Sequence, residues 1–125
     1  MFKTKMYIVS CLILSLATKA QSDTALVWTW VKGERFPGFS QHYGTKGQES
    51  SDNQPPARRA GVSWTDTSGN LWLFGGLQSP AVTLNDLWRF NTGNQQWTWI
   101  SGDSIPNQAG IYGTLGEASI HNKPS

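Results

Sequence analysis

The chain has 125 residues, 14% of them charged, with a net charge of +2, seven tryptophans and one cysteine. Lys3, Lys5 and Lys19 lie in an amino-terminal stretch that reads as a leader; without them 10 − 3 = 7 Lys and Arg face 8 Asp and Glu, a balance that excludes a basic surface for nucleic acid or acidic membranes. The one cysteine, Cys11, also lies in that stretch, so the remainder excludes disulfides, thiol catalysis and cysteine-based metal sites.

In chain order, residues 1–20 read as a secretory signal peptide. Lys3 and Lys5 precede the apolar run Tyr7 to Ala17, and small residues close the stretch, so cleavage is expected after Ala20. That run is far shorter than the roughly 20 residues a membrane-spanning helix needs, so no membrane span is expected. Ile8-Val9-Ser10-Cys11 has the form of a lipoprotein cleavage box, but its position inside the apolar run argues against lipidation. The expected location is secreted or at the cell surface.

Residues 21–56 carry a strand around Trp28-Thr29-Trp30 followed by a long loop. Residues 57–101 then hold four short apolar segments bounded by turn residues: Gly61 to Thr65, Leu71 to Phe74, Asp86 to Phe90 and Gln96 to Ile100. Asp66 to Asn70 and Asn91 to Asn94 have turn chemistry, and the second strand is expected to stop at Gly75-Gly76. Residues 77–83 are expected to be a loop on the same side as the long inter-strand loops, and 102–125 a second long loop. The fold class is all-β. Strands with bulky residues on both faces need cover on both faces, which favours a sheet wedged between neighbours.

The chain also repeats itself. A shift of 69 residues lays Trp28-Thr29-Trp30 on Trp97-Thr98-Trp99 and continues without a gap, matching Tyr43-Gly44-Thr45 with Tyr112-Gly113-Thr114, Gly47 with Gly116, and Asn53 with Asn122. Such periodicity marks a unit that buries its apolar faces against copies of itself.

The order Ala57-Arg58-Arg59-Ala60-Gly61, Trp64, Leu71 to Gly76, Leu84 to Phe90 and Trp97-Thr98-Trp99 resembles a kelch repeat. It is especially similar to the type found in secreted bacterial proteins with a galactose-oxidase-like central domain. The resemblance implies four-stranded antiparallel kelch blades of a β-propeller, with one complete blade at 57–101 and the last strand of another near Trp28. About one and a half units cannot close a ring of four to eight blades. The chain is therefore expected to be the amino-terminal fragment of an incomplete β-propeller that needs further kelch blades.

No catalytic, cofactor-binding or metal residue is assigned. The Asp86 side chain is expected to start a strand by bonding neighbouring amides, Gly75-Gly76 to permit a bulge, and Arg58 and Arg59 to make structural hydrogen bonds. His42 and His121 do not correspond under the repeat and have no second ligand at metal spacing. Galactose-oxidase chemistry needs a copper site with a cysteine-linked tyrosine, which this chain cannot build outside residue 11, so no cofactor is expected. The expected function is a non-enzymatic binding scaffold for an unknown protein or carbohydrate ligand on the long-loop face, without nucleic acid as a partner. The alternative is a fragment of a carbohydrate-active kelch-propeller enzyme, an oxidase or a sugar epimerase.

Overall fold

The computed structural model describes residues 5–9, 12–13, 27–35 and 40–125. Among them the chain is all-β, with no helix. The strands are β1 (Lys5–Val9), β2 (Leu12–Ile13), β3 (Val27–Lys32), β4 (Glu49–Ser50), β5 (Val62–Thr65), β6 (Leu71–Ser79), β7 (Val82–Asn91) and β8 (Gln96–Ser101). They form a three-stranded sheet in the order β2-β1-β3 and a five-stranded antiparallel sheet in the order β4-β8-β7-β6-β5.

Two strands lie inside the stretch read as a leader: β1 pairs antiparallel with β2 and parallel with β3. A short apolar run satisfies the hydropathy of a strand as well as that of a leader. The expected cleavage point at Ala20 and Ser10-Cys11 of the lipoprotein-like box lie outside the described residues.

In the larger sheet, alternation along each strand sorts the side chains onto two faces. Leu71 and Leu73 of β6, Trp88 and Phe90 of β7 and Trp97 of β8 point to one face and form the core, each almost fully buried. Trp88 meets Trp97 edge-on at 83°, and Phe90 lies 5.0 Å from Trp97. The loop 42–54 covers this face: Tyr43 sits 5.0 Å from both Trp88 and Trp99, and Val31 packs on the same cluster.

The β6–β7 hairpin is longer than expected. β6 runs on to Ser79 and β7 starts at Val82, so the loop anticipated at 77–83 is a two-residue turn. Gly75 and Gly76 kink the strand instead of ending it, and the register shifts across them. Both have positive φ, and a Cβ would lie 2.9 Å from the Leu84 carbonyl at Gly75 and 2.7 Å from the Arg59 carbonyl at Gly76. Only glycine fits this close approach. Past the bulge, Leu77 exchanges backbone hydrogen bonds with Arg59.

Beneath the covered face lies a buried ion pair. Arg58 meets Asp86 with two parallel hydrogen bonds of 2.5 and 2.7 Å and also donates to the carbonyls of Gly75 and Pro56. Asp86 accepts further from the Tyr43 hydroxyl at 2.8 Å and the Trp88 indole at 2.7 Å. Asp86 thus works inside β7 through side-chain partners, and does not cap a strand start as expected. Burial, followed by the neighbouring Asp86 charge, pushes the Tyr43 hydroxyl far above its ordinary pKa.

Candidate functional site

The second face of the five-stranded sheet carries the candidate site. The cross-strand register aligns one residue from each strand in a single row: Trp64 of β5 opposes Trp72 of β6, Trp72 opposes Arg89 of β7, Arg89 opposes Thr98 of β8, and Thr98 opposes Glu49 of β4. Val62 opposes Phe74 beside this row. The apolar end lies at the β5 edge, where Val62 is 61% and Trp64 43% exposed.

The two indoles stack, with ring centroids 5.8 Å apart and planes within 6°. Local turn chemistry sets this geometry. Asp66, first residue of the β5–β6 turn, uses one carboxylate oxygen to accept from the Ser68 and Asn70 amides and the other to accept from the Asn70 side chain and the Trp72 indole, each at 2.9 Å. Hydrogen bonds from Trp72 and then Asn70 pull its pKa down to about 2. Asp66 therefore locks the Trp72 ring, and Trp72 offers a flat platform to Trp64.

The polar part of the row is incompletely satisfied. The Arg89 guanidinium lies 3.6 Å from Glu49, while Arg89 Nε and Thr98 Oγ1 are buried without a partner. Glu49 also accepts from the side chains of Asn91 and Asn94. The accessible end suits a flat aromatic ring that continues the stack on Trp64, whereas Arg89 Nε and Thr98 Oγ1 are closed off from solvent.

Residues singled out in the sequence fall elsewhere. Arg58, Asp86, Gly75 and Gly76 are structural, as described above. His42 pairs with Gln54 through backbone hydrogen bonds, and the His121 amide donates to Ser119 Oγ. Among the described residues no three His, Cys, Asp or Glu side chains converge as a metal site. Trp64, Trp72 and Asp66 were visible as strand and turn residues. Their role as a stacked pair needed the register, which one strand's sequence does not contain.

Over 48 residues, 37% of this chain, the sequence is 44% identical to the transcription factor DIVARICATA of Antirrhinum majus, and the match spans 16% of that relative's length. No family model matches the chain, and no solved structure matches it.

This similarity to a plant transcription factor overturns several expectations. The kelch resemblance, with its galactose-oxidase-like, secreted bacterial setting, is corrected first. The residues that carried it, Arg58, Gly75-Gly76 and the alternating aromatics, all satisfy packing needs of this one sheet: an ion pair, a close backbone approach and a filled core face. The secreted binding scaffold, its carbohydrate-active enzyme alternative and the export to the cell surface, read from Lys3, Lys5, the apolar run and the small residues after it, fall with it. The exclusion of nucleic acid is corrected too. It rested on subtracting Lys3, Lys5 and Lys19 as a discarded leader, whereas the whole chain carries +2.

Proposed function

We propose that the chain is part of a transcription-regulatory protein and that its five-stranded sheet contacts nucleic acid by stacking unpaired bases on Trp64 and Trp72. The stacked, part-exposed indole pair carries this reading: base–aromatic stacking contributes about 1–3 kcal/mol per base and tolerates any sequence. The partial similarity to a transcription factor supports it. The role in this reading is binding: Asp86, the acid at the heart of the sheet, is taken up by Arg58, Tyr43 and Trp88.

Strands β5 to β8 make a blade-like layer whose open face is left for a neighbour, here the ligand, and the exposure of Val62 and Trp64 supports this.

The test is titration of the full chain with a single-stranded oligonucleotide, read by tryptophan fluorescence. Quenching is expected, with Trp64→Ala weakening binding by about 1–3 kcal/mol. Because Glu49 already faces Arg89, the salt dependence is expected to be shallow, a log–log slope of about −0.7 or weaker. Absence of quenching, or unchanged affinity in Trp64→Ala, overturns the reading.

A further inference from the structure

The 69-residue repeat is built twice as the same loop. Backbone bridges close both copies, His42 with Gln54 and Ile111 with Lys123. Inside each, the Gln48 amide donates to Thr45 O and the Glu117 amide to Thr114 O, while the Asn53 side chain donates to Gln48 O and that of Asn122 to Glu117 O. Gly44 and Gly113 share φ near +60°, and Gly47 and Gly116 share φ near +80°.

Their surroundings differ. The first loop grips β8: Glu49 and Ser50 pair with Thr98 and Trp97, the Gly47 amide donates to Trp99 O at 2.7 Å, and Asn53 Nδ2 donates to Trp97 O at 2.9 Å. Tyr43 inserts beside Trp88 and Trp99, and the Lys46 ammonium sits 4.3 Å from the Trp99 ring centre. In the second loop the equivalents of β4, Ala118 and Ser119, pair with no strand among the described residues. Tyr112 is 69% exposed where Tyr43 is packed, and Leu115 and Ile120 are almost wholly exposed. Together with Gly116, Ala118 and Asn122, Tyr112 and Leu115 line an open concavity of about 460 Å³. The loop is held on its own sheet at its base by Lys123 to Asp103 and by Asn85 to the Pro124 carbonyl, leaving the gripping edge outward.

What the first loop grips is a Trp-Thr-Trp strand, and the chain has a second one in β3. Among the described residues β3 pairs on one side only, as the edge of its sheet, and Trp30 is 47% exposed. We propose that residues 111–124 are a strand clasp that docks on β3 of a second copy of this chain. In the register copied from the first loop, Ala118 lies opposite Thr29 and Ser119 opposite Trp28 of the second copy. Leu115, standing where the first loop has Lys46, sets an apolar side chain against the exposed Trp30. This is strand addition at a sheet edge. Because clasp and strand are different surfaces, the contact is heterologous and propagates head to tail. The inference is independent of the nucleic-acid reading, which uses the open sheet face.

Sedimentation of the full chain over a concentration series tests it, alongside binding of a fluorescein-labelled peptide spanning residues 26–34. The expected result is a mass that rises past the dimer with concentration, and peptide binding to the wild-type chain. Ala118→Pro, which cannot donate in a ladder, should weaken both by about tenfold or more without changing the melting temperature. Tyr112→Ala should weaken both in the same direction. A chain that stays monomeric across the whole concentration series and ignores the peptide overturns the proposal. So does association that survives Ala118→Pro, or that Trp64→Ala abolishes instead, since the contact would then lie on the open sheet face. If Ala118→Pro does not fold, the wild-type peptide result and Tyr112→Ala decide.

Discussion

The two faces of the five-stranded sheet have similar raw material and opposite fates. One carries Leu71, Leu73, Trp88, Phe90 and Trp97, sealed by Tyr43 and the loop 42–54; the other carries Val62, Trp64, Trp72 and Phe74 and keeps its β5 end open. Period-two alternation delivers apolar residues to both sides, so hydrophobicity along the strands does not separate core from site. What separates them is a long-range event, the docking of a loop 43 residues away in sequence from Asp86, which Tyr43 reaches with its hydroxyl. A sheet so built holds its stability on one side and keeps aromatic surface available on the other.

The sharpest way to break this contrast is to remove a group from the closed side. Asp86→Ala leaves Arg58 buried without its partner and strips Tyr43 and Trp88 of their acceptor, so a loss of about 3–5 kcal/mol is expected in denaturant unfolding. A loss below about 1 kcal/mol would mean that the ion pair is solvated and the covered face is not closed. On the open side Trp64→Ala should cost only about 0.5–1.5 kcal/mol, the value of one stacked aromatic pair, while removing the far-ultraviolet exciton signal of the two indoles. An equal cost on both faces would erase the distinction.

The smallest effect is a pH dependence. Asp66 has a lower pKa folded than unfolded, so its contribution is complete above the ordinary carboxylate value of 3.8 and is lost as pH falls from there through about 2. Its partner is the Trp72 indole, so in the folded chain the exciton signal should hold from neutral pH well into the acid range and fade only as pH falls through about 2, and Asp66→Ala should abolish it at neutral pH. A signal insensitive to both changes would show that Asp66 does not position Trp72.

Much of the architecture was legible locally. Asp66 to Asn70 and Asn91 to Gln95 are turns because their side chains and backbone satisfy one another within four residues, and the four apolar segments of 57–101 are strands. The 69-residue repeat in the sequence falls on two loops with paired bridges and matched glycine torsions. The extension of β6 and β7 was hidden because Gly75-Gly76 reads as a terminator, and only the partner strand reveals a bulge. The stacked tryptophans were hidden because Trp64 and Trp72 face each other through register. Compartment was misread because the apolar run that opens the chain has the same hydropathy in a leader as in β1 and β2.

Nuclear magnetic resonance of the tryptophan indole N–H groups, followed during addition of a single-stranded oligonucleotide to the full chain, tests the open-face assignment most directly. The account predicts that the signals of Trp64 and Trp72 move while those of Trp88 and Trp97 stay fixed. Shifts confined to other tryptophans, or none at saturating oligonucleotide, would contradict it.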